Sequence, residues 1–229
     1  MVRPRPIAVL LLALAWTTAL RAIEPFEATY RLLYNGEPKG ETRFSLHLES
    51  GDYRFRAVTR PLGDALDHQV LEASQGRLDG ARPRPATYYY AVKERGRTRM
   101  VELIFDWGRA QLKVRDERGQ ENYALEPGAQ DRLSYLLQAM ALTEGPESEA
   151  RFLRVGPMGA ERLVLEKKRE GFLDTPAGRF PTREILIRSG DGGSVRHLWL
   201  AANGNPLPLL LEQHQDDALV RMELVRIHR

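Results

Sequence analysis

The chain has 229 residues, with 34 Lys and Arg against 31 Asp and Glu, and no cysteine. That length suits one large domain or two small ones around a core of ordinary size. The lack of cysteine excludes disulfides, thiolate metal sites, a catalytic thiol and a lipid-modified cysteine.

Residues 1–22 read as an export signal. Arg3 and Arg5 form a basic start, Ile7 to Trp16 an apolar stretch, and Ala19 to Ala22 a small-residue exit. An apolar stretch of about ten residues falls well short of the roughly 20 needed to span a bilayer. Cleavage is expected after Ala22, with Ala19 as the second choice, and a retained anchor is the alternative. Removing the segment takes away Arg3, Arg5 and Arg21 and leaves 31 basic against 31 acidic residues. So balanced a chain offers no field argument for nucleic acid or an anionic membrane. No later segment is apolar enough to span a membrane, and the expected location is the periplasm.

From Phe26 the sequence alternates with period two. Phe26, Ala28, Tyr30, Leu32 and Tyr34 share one face; Asn35-Gly36 turns the chain, and Glu41 to Glu49 returns it. Gly51-Asp52 leads into Tyr53, Phe55 and Ala57. Residues 60–67 break the rhythm, and His68 to Ser74 is a further strand. Gly80 to Pro85 is proline-rich and is expected to form a corner, since proline cannot donate to a ladder. Ala86 to Glu94 and Thr98 to Asp106 form a hairpin around Arg95-Gly96-Arg97. The basic run Lys93 to Arg99 is expected to be its solvated tip. Short strands follow at Ala110 to Arg115 and Asn122 to Leu125.

The one confident helix is Asp131 to Thr143. Leu133, Leu136, Leu137, Met140 and Ala141 recur at the spacing of a single apolar face, and Arg132 is expected on the outer face. Asp131 is the candidate N-cap, and Gly145-Pro146 ends the helix. Ordering about thirteen residues costs on the order of 1–2 kcal/mol each, so the helix must dock on something apolar. Strands resume at Arg151 to Val155, Arg162 to Arg169, Thr182 to Arg188, Val195 to Leu200, Leu207 to His214 and Leu219 to Ile227. The economical fold is mainly β: one strongly curved antiparallel sheet, an open or half barrel, with one amphipathic helix on its concave face. It is expected to form a single domain over 23–229. A two-sheet sandwich is the alternative.

Catalytic motifs are absent: no GxSxG elbow, phosphate loop, HExxH or calcium loop occurs. Ser194 follows glycines but sits between two strands, where a hairpin turn is the expected reading. Asp64, Asp67 and His68 come nearest to a ligand cluster and are expected to be solvated. His197 alternates with Val195 and Trp199, and reads as a satisfied core histidine. Tyr88 and Tyr90 fall on one face, Tyr89 on the other. Neither a metal, a cofactor nor a catalytic residue is assigned.

Three segments together carry a resemblance: Phe26 to Glu41 (FEATYRLLYNGEPKGE), Asp174 to Ile187 (DTPAGRFPTREILI) and His197 to His214 (HLWLAANGNPLPLLLEQH). With the helix between them, the chain resembles the exported bacterial family called domain of unknown function 3108. That resemblance implies a Gram-negative envelope setting and no activity, cofactor or catalytic residue.

The expected role is a non-catalytic binding or carrier protein for an apolar ligand or an envelope protein. The expected site is the groove beneath the helix, lined by Leu133, Leu136, Leu137, Met140, Phe105, Trp107 and Trp199. An envelope hydrolase acting on glycan or lipid is one alternative. An assembly partner using a free strand edge is another. Oligomeric state is left open.

Overall fold

The computed structural model describes residues 23–63, 68–190, 192–215 and 217–228. The expected signal at 1–22 and the Asp64 and Asp67 members of the acidic loop lie outside the described residues. Among the described residues, fourteen strands and one helix follow in chain order: β1 Phe26–Tyr34, β2 Glu37–Glu49, β3 Asp52–Pro61, β4 Gln69–Asp79, β5 Arg82–Glu94, β6 Arg97–Asp106, β7 Gln111–Asp116 and β8 Gly119–Ala124. Then come α1 Ser134–Glu144, β9 Glu149–Gly156, β10 Gly159–Thr175, β11 Gly178–Ser189, β12 Val195–Ala201, β13 Pro208–Gln215 and β14 Ala218–His228.

All fourteen strands belong to one sheet, ordered β8-β7-β6-β5-β4-β3-β2-β1-β14-β13-β12-β11-β10-β9. Every pairing is antiparallel, so the sheet is a meander whose first and last strands meet in its middle. Its two edges, β8 and β9, flank α1 in the sequence. The tight turns are local chemistry: Asn35-Gly36 and Arg95-Gly96 both have left-handed φ values (50° and 82°, 51° and 73°), the geometry that matches hairpin twist.

The concave face holds the core, built on β1–β3 from Ala28, Tyr30, Phe44, Leu46, Tyr53 and Phe55. On the far side it continues through Leu163, Leu165, Ile185, Ile187, Leu198 and Leu200. The helix lies on this face and packs against β5 on one side and β9, β10 and β11 on the other. Because the sheet curls around it, α1 is buried on nearly its whole circumference. Tyr135, Leu142 and Thr143 are buried along with the expected apolar face, and Gln138 and Glu144 alone in α1 are partly exposed. Gly145 takes an extended conformation before Pro146, the conformation that a following proline enforces, and the helix stops there.

Three expectations need correction. The proline-rich corner at 80–85 is strand: β5 includes Pro83 and Pro85, paired opposite Leu78 and Gly76. The reason is that β6 begins pairing only at Thr87, so the prolines sit where β5 has one neighbour. On the open side, Gln130 Nε2 donates to the Pro83 carbonyl (3.0 Å) and Trp107 Nε1 to that of Pro85 (2.6 Å). Gly76 permits the close approach, since a Cβ there would meet the Arg84 carbonyl oxygen at 2.3 Å. Second, Arg132 does not lie on an outer face. It turns inward, with Nε 3.2 Å from Glu72 on β4. Third, His197 is not in the core: Leu198 and Leu200 take the concave face of β12 and put His197 and Trp199 on the convex one. There His197 Nδ1 lies 2.7 Å from Glu184 Oε1 and its ring stacks on Trp199.

Candidate functional site: the seam between the sheet ends

The concave face carries a polar cluster where the helix begins. Asp131 is fully buried. Its Oδ1 accepts the N–H groups of Leu133 and Ser134 at 2.8 Å each, while the Asp131 N–H donates to Ser134 Oγ at 2.8 Å. The sequence placed the N-cap at Asp131; in the structure these bonds cap the turn leading into α1, whose own N-cap position is Leu133. Oδ2 accepts the Ser74 hydroxyl (2.6 Å), whose oxygen lies 3.0 Å from the Tyr53 hydroxyl. Burial pushes the Asp131 carboxyl up to about 6, with these donors holding it from rising further. Beside it, the Tyr88 hydroxyl donates to Glu72 Oε2 at 2.6 Å, and Arg132 pairs with the same carboxylate.

A second cluster faces inward at the far end of the sheet. Arg154 pairs with Glu161, and Arg196 lies 3.3 Å from the same carboxylate. Burial alone would raise the Glu161 carboxyl, but Ser189 and the two guanidinium groups outweigh it and hold it below the usual carboxylate range. Neither cluster resembles a catalytic device. Asp131, the carboxyl shifted furthest toward neutrality, is sealed from solvent with both oxygens already engaged. Among the described residues, no group of three or more His, Asp or Glu side chains could hold a metal ion.

The space for a ligand lies elsewhere. On β10, Leu163 and Glu161 point to the concave side, with Phe152 and Arg154 opposite them on β9. Leu153, Val155 and Ala160 therefore lie on the convex side. Those three residues nevertheless share a cleft with Val101, Leu103, Leu112 and Val114, which belong to the concave side of β6 and β7. The two ends of the sheet thus overlap like the edges of a scroll, with β6–β8 lapped over β9 and β10. The cleft between the layers has a volume of about 730 Å³. Its lining combines these aliphatic side chains and Tyr123 with Asp116, Arg118, Gln120 and Glu121. A smaller cavity, about 430 Å³, lies at the other end of the molecule beside the C-terminus of α1 and has charged edges.

The residues expected to line a groove under the helix are placed differently. Leu133, Leu136, Leu137, Met140 and Phe105 meet, but in a filled core. Trp107 packs at its margin, stacked on Phe105 with centroids 6.0 Å apart, and Arg84 lies over its ring. Trp199 is on the convex face. None of the seven lines either cavity. The seam residues were missed because alternation assigns a face to a strand, not the overlap of two distant strands. The available signal was β8 itself, a strand following the hairpin with no large aliphatic residue to anchor it.

No curated protein matches the chain. Among solved structures, it is similar to a β-barrel-like protein of domain of unknown function DUF1849 from Brucella abortus. The TM-score is 0.63 at 12% identity, covering 90% of this chain and 98% of that one. A weaker likeness is to a DUF1089 family protein from Pseudomonas aeruginosa, with TM-score 0.40 and 15% identity over 89% and 95% of the two chains. The first supports the barrel-like architecture alone, at an identity where fold carries no activity with it. Residues 29–225, most of the described sheet and the helix within it, match the model of the family described as Protein of unknown function (DUF3108), and the chain belongs to that family.

Proposed function

We propose that the protein is an exported, periplasmic binding or carrier protein for an apolar ligand, held in the cleft between the overlapping sheet ends. The observation that carries this reading is the cleft itself. Its volume of about 730 Å³ falls in the usual range for small-molecule sites, and both sheet ends contribute aliphatic wall. Opening the groove beneath the helix would expose a fully packed core, whereas the seam offers space without that disruption. The export pattern of residues 1–22 supports the location. No helix among the described residues is long and apolar enough to cross a membrane.

The test is a titration with an apolar fluorescent dye, combined with native mass spectrometry of protein recovered from an envelope fraction. Saturable, stoichiometric dye binding and a co-purifying apolar molecule are expected. Ala160 is exposed on the cleft wall, so Ala160→Trp fills the cleft without entering the core. It should abolish dye binding while changing stability by less than about 0.5 kcal/mol. Unaltered binding in Ala160→Trp would remove the cleft as the site.

A further inference from the structure

The cleft reaches an unused backbone edge. Leu125 N–H donates to the Ala110 carbonyl at 2.9 Å. From that pair on, alternation turns the backbones of Tyr123, Glu121 and Gly119 toward β7 and those of Ala124, Asn122 and Gln120 away from it. β8 ends the sheet, so the outward N–H and C=O groups of these three residues have no strand beside them. The side chains follow the same alternation. Glu121 and Tyr123 lie opposite Val114 and Leu112 and face the cleft with them. Gln120 and Ala124 carry their side chains on the other face, yet both line the cleft, so the cleft extends to the free edge itself.

The polarity of the cleft is arranged along that edge. Val101, Leu103, Leu112 and Val114 give β6 and β7 an aliphatic wall, whereas β8 offers Glu121 and Tyr123, with the Tyr123 hydroxyl donating to the Glu121 carboxylate. Of the charged lining residues, Asp116 is paired with Arg118 (3.0 Å), and Glu121 has no ion pair among the described residues. Glu117 in the β7–β8 turn adds a further carboxylate beside them. Arg97 and Arg99 stand two strands away on β6 and do not line the cleft. The edge therefore presents backbone donors and acceptors beside an aliphatic wall and a carboxylate without a cation.

We propose that the cleft takes an extended polypeptide segment of about six residues, the length of β8, which pairs with the free edge at Gln120, Asn122 and Ala124. Its alternate apolar side chains enter between the sheet ends, and one basic residue among them reaches Glu121. The inference rests on the apolar-ligand reading above and specifies the ligand. Backbone complementarity chooses a polypeptide over an acyl chain. Methylenes laid along this edge strip water from its N–H and C=O groups and return no hydrogen bond. Charge complementarity with Glu121 chooses a basic segment over an acidic one. The β8 of a second copy does not suit the cleft, since it has no large aliphatic side chain to place against the wall.

The test is a fluorescence-anisotropy titration of protein recovered from an envelope extract. The probe is a labelled peptide of about eight residues in which threonine alternates with valine and one central lysine. Saturable binding is expected, about tenfold weaker for the same peptide with glutamate in place of the lysine. Methylating the peptide's backbone nitrogens keeps every side chain and removes the ladder donors, and should weaken binding at least about tenfold. Asn122→Pro removes one outward N–H and leaves the β7–β8 ladder and the cleft walls in place. Circular dichroism and dye binding should be unchanged in it, while peptide binding falls about tenfold. Peptide binding that is absent, equal for the lysine and glutamate peptides, unmoved by N-methylation or unmoved in folded Asn122→Pro overturns the proposal. If Asn122→Pro does not fold, the N-methylated peptide on the parent protein decides. Dye titration separates the two readings. Intact dye binding, displaced by palmitate, without peptide binding leaves the cleft as a lipid site and removes the polypeptide. N-methylation-sensitive peptide binding without dye binding leaves the edge site and removes the carrier role for a free apolar molecule.

Discussion

Asp131 shows how much one side chain is asked to do. It caps the turn that leads into α1, the only helix among the described residues, and ties that turn to Ser74 and Tyr53 on the sheet. Its carboxyl, raised by burial to about 6, binds a proton in the folded state that the unfolded chain, near the ordinary value of 3.8, has released. The associated stability is thus fully present below about pH 4 and is lost as pH rises through about 6. Asp131→Asn keeps a capping oxygen and cannot ionise, so its unfolding free energy should be flatter between about pH 4 and pH 7 than that of the parent. Parallel denaturant midpoints for the two proteins across that window would show that Asp131 is not the titrating group. Next to it, Arg132→Ala should cost about 1–3 kcal/mol, because Glu72 would be left largely buried with only the Tyr88 hydroxyl. Glu72→Gln in the same background should restore part of that loss. An Arg132→Ala effect below about 0.5 kcal/mol would return Arg132 to the solvated surface.

At the scale of elements, the informative case is α1. Its apolar spacing and its end are written in Leu133, Leu136, Leu137 and Met140 and in Gly145-Pro146, and the structure keeps both, although the helix expected from Asp131 begins only at Ser134. What the spacing does not contain is the burial of Tyr135 and Leu142 as well, since α1 packs against β5 on one side and β9, β10 and β11 on the other. Leu142→Ala should therefore destabilise by about 2–5 kcal/mol, as Leu137→Ala should. A clearly smaller loss at Leu142 would mean that the helix has one packed face after all. The strands divide in the same way. Asn35-Gly36 and Arg95-Gly96 are legible because left-handed turn conformations are local. Pro83 and Pro85 in β5 are not, since whether a proline is tolerated depends on how far the neighbouring β6 extends. Nor is the facing of β4, where Glu72 and Ser74 point inward: register with Phe55 of β3 decides it, against the apolar Leu71 and Ala73.

The whole molecule inverts the usual relation between chain order and sheet order. β1 and β14, some 190 residues apart, form the centre, while the edges β8 and β9 come from the middle of the sequence. Pairing so distant in the chain favours slow folding, with the central ladder closing only after both ends are made. The seam is held by fewer contacts: the Gln130 segment bridges to β9 through Gln130 N–H to the Leu153 carbonyl (2.9 Å) and Val155 N–H to the Gln130 carbonyl (2.8 Å). Arg162 and Glu126 add an exposed bidentate pair. β8 itself is hydrogen-bonded on one side, with all six residues exposed. Amide hydrogen exchange should consequently be fastest in β8 and β7 and slowest in β1 and β14, spanning local opening to global unfolding. An apolar ligand wedged between the sheet ends stabilises only the lapped arrangement. It should slow exchange in β7, β8 and β9 while leaving the β1–β14 ladder at its global limit. Uniform protection of all strands by the dye would point to a ligand that binds the fold as a whole. Protection confined to the α1 amides would return the site to the space beneath the helix.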